Sequence, residues 1–502
     1  MPPKFSGQPT PEKKVKNNFL NFSDLTMYNV KNWIERSFNS SPAGSPSSTF
    51  PLSASTASSS PSLVSSSPPP IPPHSSEMTR TWTKQDRVLT TIAVLVTLGD
   101  GVEIYLPGVL TQKVACELGV SDIQEGILAV VLFFCYAIGM TTSAPILKRF
   151  GEKLTLLLSL YLSILFAVIC AVVPNYYSLM ISRALTGLCA GLNVCISGIY
   201  LAKNVSTKEI LTQSLFLSEA LAFPIGGAWV SFLGWLLLDS IDWRIFVLLT
   251  SIPLFVPPIL ILHFFTIEKQ EEDSLEDSDK VKCSAANERS IPTENLGLMR
   301  NKNYSFPNFY VRVIKSSLFS FCNLGIGYGS IILVPWVMRS FKSKEFNEEK
   351  VDECTDTVHG NDFMILAVVT GFTNIIGRPI GYFLWKRVRF LILQSTVTAT
   401  MVLCFAIILV TDSYIASVIL LAVVKFCYSV QAVEMAMLFF DYDYFGTSGL
   451  EFGCVVTSTI GSFGAAAGTS LGAFLHPYSA VMSTLGIACV EIVVICFMKE
   501  RF

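Results

Sequence analysis

From Val88 onward the chain is a succession of apolar stretches, each long enough to cross a bilayer. Roughly 20 helical residues at 1.5 Å each span about 30 Å of hydrocarbon. The stretches fall near residues 88–110, 124–145, 153–173, 176–200, 212–238 and 244–265. After a charged segment they recur near 312–338, 362–386, 388–410, 413–438, 449–475 and 478–498. The spacing predicts an all-α membrane protein with twelve transmembrane helices in two six-helix halves, 87–265 and 312–498, joined by a cytosolic linker over 266–311. Two similar halves around a long hydrophilic loop are the signature of a transporter built from repeats. The site of such a protein lies between the halves near the midplane. Composition agrees, with 51% hydrophobic and 15% charged residues, against about 25% charged in soluble domains.

The same figures exclude several function classes. A formal charge of -2 and the lack of a basic stripe leave no nucleic-acid partner. The thirteen cysteines sit mostly in apolar stretches without CxxC spacing, and the four histidines are isolated from one another. No metal site, Cys/His nucleophile pair, phosphate-binding loop or catalytic triad is visible, so neither an enzyme nor a cofactor is expected.

Residues 1–86 are hydrophilic and have no signal-peptide pattern, so they are expected to stay cytosolic. Ser23–Phe38 could form a short amphipathic helix. Ser40–Ser76 is almost all Ser, Pro, Ala and Thr, a composition that cannot bury a core. This tail is expected to be disordered, with Ser41, Ser45, Ser60 and Ser67 preceding prolines and a proline run at 68–73 open to cytosolic partners.

Lys and Arg in short loops set the orientation. With the N-terminus inside, Lys148, Arg149, Lys153, Lys203, Lys208, Lys386, Arg387 and Arg389 all become cytosolic, and residues 499–502 form a short cytosolic C-terminus. The sequons at Asn21, Asn39, Asn204 and Asn303 then lie inside, where no glycan is added. Cys116 and Cys354 fall in outer loops, and a bridge between them stays open.

Charged residues within spans are the functional candidates, because a carboxylate at bilayer depth costs on the order of 3 kcal/mol even on lenient insertion scales. The first span carries Asp100 and Glu103, three residues apart and so on one helix face. By rise per residue they lie about 18 and 22 Å from the inner face, and Arg183 of span 4 lies near 20 Å. An ion pair between Arg183 and one of the acids is expected, as coupling element or as permanent structural bridge. Lys425, near the midplane of span 10, is the best second-half partner for an anionic group or a first-half acid. Weaker cavity or gate candidates are Glu219, Arg378, Glu434 and Glu491, together with Asn193, Asn323, Asn374 and Gln431 as hydrogen-bonding groups. The run Gly461-Ser-Phe-Gly464-Ala-Ala-Ala-Gly468 spaces small residues by four, which suits close helix packing.

These features together resemble the major facilitator superfamily. Asp100-Gly-Val-Glu103, Cys116-Glu-Leu, Arg183-Ala-Leu-Thr-Gly187 and Asp242-Trp-Arg-Ile-Phe-Val247 are similar to its synaptic vesicle glycoprotein 2 branch, which includes the synaptic vesicle 2-related protein and lies near the organic ion transporters. The resemblance covers about residues 85–500. In related proton-coupled sugar transporters an acid of span 1 facing an arginine of span 4 is the coupling pair, which Asp100 and Arg183 resemble.

The superfamily's loop between spans 2 and 3 reads Gly-x-x-x-Asp-Arg-x-Gly-Arg-Lys. Here Lys148 takes the aspartate's place and Glu152 an arginine's, while Gly151 and Lys153 match. Lys203 stands where the family has a glutamate. The gate charges are exchanged, and they either survive with signs reversed or are lost. The second copy keeps Lys386, Arg387 and Arg389 but not the acid or the glycine.

The first functional reading is a secondary transporter of a small polar or ionic organic solute, with alternating access and a proton as the candidate coupling ion. The alternative is a non-transporting interaction or regulatory protein of a vesicle membrane. The expected location is a vesicle or plasma membrane, with the lipid bilayer, a small solute and cytosolic partners of the tail as its contacts.

Overall fold

The computed structural model describes residues 82–238, 240–263, 306–346, 365, 367–411, 413–439, 442–445 and 449–498. The expected Ser23–Phe38 helix, the Ser/Pro-rich tail, most of the linker, Cys354 and residues 499–502 lie outside them, as do Asn21, Asn39 and Asn303.

Every regular element among the described residues is helical. In chain order they are α1 (Lys84–Leu118), α2 (Asp122–Phe150), α3 (Glu152–Val172), α4 (Tyr176–Asn204) and α5 (Lys208–Leu237). Next come α6 (Trp243–Thr250 plus Ile252–His263, bent by 41°), α7 (Phe306–Phe346) and α8 (Thr373–Trp385). The series closes with α9 (Phe390–Val410), α10 (Tyr414–Phe439), α11 (Leu450–Phe474) and α12 (Pro477–Phe497). Nine of these are long and apolar enough to cross a membrane, or ten with the bent α6 counted as one span. Helices α7 and α8 occupy the two other expected positions.

Local chemistry sets the starts. Thr83 and Asp86 cap α1 reciprocally, each side chain accepting from the other's backbone N–H at 3.1 Å, and Ser121 with Gln124 does the same for α2. The side chains of Asn175, Thr207 and Asp242 accept backbone N–H groups at the starts of α4, α5 and α6. Each fills a donor that the first helical turn leaves open. Helices α1 and α7 outrun the apolar stretches that predict them, and α7 begins inside the expected linker. Helical hydrogen bonding continues wherever the backbone allows, whereas hydropathy marks only the part in lipid.

Two stretches depart from α geometry. Phe216–Ala222 within α5 and Ala367–Phe372 leading into α8 are π-helical. In α5 the cause is Pro224, which offers no N–H to Ala220; the N–H of Phe223 reaches back five residues to Ser218.

Within the first half α1 packs on α4 and α5, α2 on α4, and α3 on α4 and α6. Within the second, α7 packs on α10, α11 and α12, α8 on α10, and α9 on α10 and α12. The halves meet through α2 against α11 and α5 against α8 with its π turn. Large apolar side chains such as Phe134, Leu158, Leu165, Leu403 and Val490 face outward, as a lipid-facing surface requires, while charged and amide side chains are buried within.

Candidate functional site

Asp100 and Glu103 are both buried on α1, but successive helical positions turn by about 100°, so three residues leave them some 60° apart. Glu103 turns toward α4, where its Oε2 lies 3.0 Å from Nη1 of Arg183. Asp100 turns toward α2, and its Oδ2 accepts from the hydroxyl of Tyr136 at 3.3 Å. The structure thus pairs Arg183 with Glu103 and not with Asp100, the acid nominated by the resemblance. Oδ1 of Asp100, Oε1 of Glu103 and Nη2 of Arg183 have no hydrogen-bond partner. Behind them a cavity of about 20 Å³ opens among α1, α3, α4 and α6, touched by Asp100, Glu103, Ser163, Asn193 and Leu254. Asn193 faces this cavity, its Oδ1 accepting from Ser159 at 2.5 Å.

A second group straddles the seam between the halves. Glu219, carried by the π turn of α5, meets Arg378 of α8, with Nη1 3.8 Å from Oε2; the same nitrogen donates to the Glu219 carbonyl. The guanidinium lies 4.2 Å over the ring of Phe223. Both Glu219 and Arg378 are within electrostatic reach of Asp100. Asn374 donates to the hydroxyl of Tyr105 at 2.6 Å and accepts from Ser429, tying α1 to α8 and α10. Lys425 is fully buried; its Nζ donates to the carbonyl of Gly327 at 2.9 Å and lies 5.7 Å from the Tyr428 ring centroid. No carboxylate among the described residues lies within ion-pair distance of it, and Nε of Arg378 has no partner. Sequence reasoning nominated Glu219, Arg378, Asn374 and Lys425 separately and passed over Tyr105, Tyr136, Tyr428 and Ser429. The signal was there: Tyr428 and Ser429 lie three and four residues after Lys425, on its helix face.

The other amide and acid candidates gather elsewhere. Inside the second half Asn323 donates to Gln431 at 2.9 Å and Glu491 at 3.2 Å, Gln431 donates to Thr398 at 2.6 Å, and Gln394 donates to Glu434. All are buried. Glu434 is thus held inside the half by Gln394, and Glu491 uses the inward face of α12.

At the loop end, Glu152 and Lys203 pair at 2.6 Å, so the exchanged gate charges meet with signs reversed. Gly151, between α2 and α3, adopts φ 78, ψ 164, a region closed to side-chain-bearing residues. Arg149 and Lys386 lie over neighbouring rings, Phe150 and Tyr382, Lys148 and Lys153 flank the turn, and Arg387 and Arg389 lie in the turn before α9. Across the first half, Glu117 and Arg244 pair at 2.5 Å, joining two motifs noted in the sequence.

The helical architecture, the paired halves and the charged seam define a multi-pass membrane protein of the transporter type. The Major Facilitator Superfamily profile matches residues 89–469, and the chain belongs to that superfamily. Within it the chain is similar to svop-1 of Caenorhabditis elegans, 27% identical over 157 residues, 31% of this chain and 30% of that one. It is 25% identical to the synaptic vesicle 2-related protein of Rattus norvegicus over 210 residues, 41% of this chain and 36% of that one. With synaptic vesicle glycoprotein 2A of Homo sapiens it shares 22% identity over 172 residues, 32% of this chain and 23% of that one. The matches therefore span about a quarter to a third of each relative.

Proposed function

We propose that the protein is a secondary transporter of a small organic solute bearing an anionic group, held at the seam by Lys425 and Arg378 and moved by alternating access. The carrying observation is Lys425, whose fully buried Nζ donates to a backbone carbonyl. The charged form of such a side chain, removed from water and left without a counter-ion, is unfavourable by several kcal/mol, and an anionic solute bound beside it would stabilise that form. Asn374, Ser429 and the neighbouring tyrosines offer hydrogen bonds for the rest of a polar molecule. Coupling to a cation, a proton in the simplest case, runs through Asp100, Glu103 and Arg183. Neutralising Asp100 or breaking the Glu103–Arg183 pair changes which opening of the cavity is favoured. Lys and Arg bias in the loops supports cytosolic termini, and the relatives' names support a vesicle membrane, with the plasma membrane as the other location.

The reversed Glu152–Lys203 pair favours this reading over that of a non-transporting interaction protein, since a gate contact persists despite the altered motif. The deciding experiment is uptake by purified protein in liposomes from a mixed metabolite extract, read by mass spectrometry with and without an inward cation gradient, of protons or of Na+. A carboxylate- or phosphate-bearing solute is expected to accumulate, Lys425→Met to abolish it, and Asp100→Asn with Glu103→Gln to remove the gradient dependence. No accumulation above protein-free liposomes in any condition overturns the proposal and turns attention to partners of residues 1–86.

A further inference from the structure

The seam leaves one feature of the first half unused. The cavity among α1, α3, α4 and α6 is lined by first-half residues, and its polar lining consists of oxygen and amide groups. Oδ1 of Asp100 and Oε1 of Glu103 are buried and without partners, and both residues line it with Ser163 and Asn193. The fourth wall is the break in α6, where a 3-10 turn, Ile252–Phe255, interrupts the span. Pro257 and Pro258 supply no N–H to the carbonyls four residues back, those of Pro253 and Leu254, and Leu254 lines the cavity. Irregular backbone at membrane depth is tolerated where it faces a cavity, and unwound carbonyls at such breaks are the groups that coordinate alkali cations in transporters.

From this geometry we propose that the cavity is a Na+ site, with Oδ1 of Asp100 and Oε1 of Glu103 as its charged ligands and the side-chain oxygens of Ser163 and Asn193 completing the shell. Charge balance points the same way. With both carboxyls ionised, Asp100, Glu103 and Arg183 carry one excess negative charge, which a monovalent cation cancels. A soft transition metal does not fit, because neither an imidazole nor a thiolate lines the cavity, and a divalent ion would leave the group with one excess positive charge. The space suits one ion or one water, since about 10–15 Å³ of such volume holds a single water. Through Asp100, which also accepts from Tyr136 of α2, an ion here reaches the seam. The inference builds on the coupled-transport reading by naming the coupling ion, but binding is measurable without transport.

The test uses the purified full chain in detergent without solute, comparing thermal unfolding in NaCl, KCl and choline chloride at constant ionic strength and pH. Na+ raised from 1 to 100 mM is expected to lift the midpoint by roughly 2–5 °C, K+ and choline not to, and ²²Na+ to bind at one ion per chain. Asp100→Asn is expected to lose both effects. Should that variant not fold, Asn193→Ala, which leaves the Glu103–Arg183 pair in place, is expected to weaken Na+ binding roughly tenfold. Lys425→Met is expected to keep the Na+ effect while losing uptake, which separates the two proposals. Equal midpoints in all three salts, as for a water-filled or proton-only cavity, overturn the inference, as does a Na+ effect that survives Asp100→Asn. A Na+ effect in a protein that takes up no solute upholds the site and removes the transport reading.

Discussion

At the scale of single residues, the decisive fact is which acid holds Arg183. The Glu103–Arg183 contact is buried on both sides, 2% and 3% exposed, so removing one partner strands the other in low dielectric. Arg183→Leu is expected to destabilise the protein by about 3–5 kcal/mol, seen as a lower midpoint in detergent. Replacing both partners, Glu103→Leu with Arg183→Met, is expected to recover most of that loss but not cation-dependent uptake. If the double variant transports with full coupling, the pair is only structural. The exposed Glu152–Lys203 pair behaves differently, because its side chains are 25% and 41% exposed and such contacts contribute about 0–1 kcal/mol. Lys203→Glu is expected to leave the melting midpoint nearly unchanged while slowing uptake, and adding Glu152→Lys to restore the rate. Residue spacing located Asp100, Glu103 and Arg183 at one depth. It could not choose between the acids, because the choice depends on how far α1 is rotated toward α2 and α4.

At the scale of elements, close helix approach is the controlling feature. The small-residue run of α11 lies against α7, where a Cβ on Gly468 would sit 2.0 Å from the carbonyl oxygen of Gly325. Gly468→Leu is therefore expected to abolish folded protein in a size-exclusion assay, whereas Gly486→Leu on α12, with nothing within 4 Å of its added Cβ, is expected to behave as wild type. The spacing of small residues by four made this contact legible in advance. The π turn of α5 was less so: Pro224 was visible, but its effect on the position of Glu219 emerges only with the chain folded. Deleting Leu217 removes the extra residue that such a turn accommodates and is expected to swing Glu219 away from Arg378. The expected result is folded protein without uptake; unchanged uptake shows that the turn has no part in the seam.

At the scale of the whole molecule, transport by alternating access requires the halves to rock about the seam. Phe216 and Tyr382, whose ring centroids are 4.2 Å apart, join α5 to α8 at one end. Cross-linking Phe216→Cys with Tyr382→Cys is expected to stop uptake and reduction to restore it, while a cross-linked protein that still transports contradicts rocking at this contact. The sequence by itself determined the helical class, the approximate spans, the two halves and the set of intramembrane charges. Hydropathy, cap residues and the cost of burying charge are local properties, and a chain in lipid has few other ways to satisfy its backbone. Tertiary structure alone decided the partners. It set Arg378 against Glu219 across the seam, left Lys425 on a carbonyl, and drew Asn323, Gln431 and Glu491 into a cluster of their own. It also formed a small cavity beside Asp100 and Glu103, with Ser163 and Asn193 as its other polar lining. Such pairings depend on the rotation and crossing of helices distant in sequence, which periodicity constrains to a face but not to a neighbour.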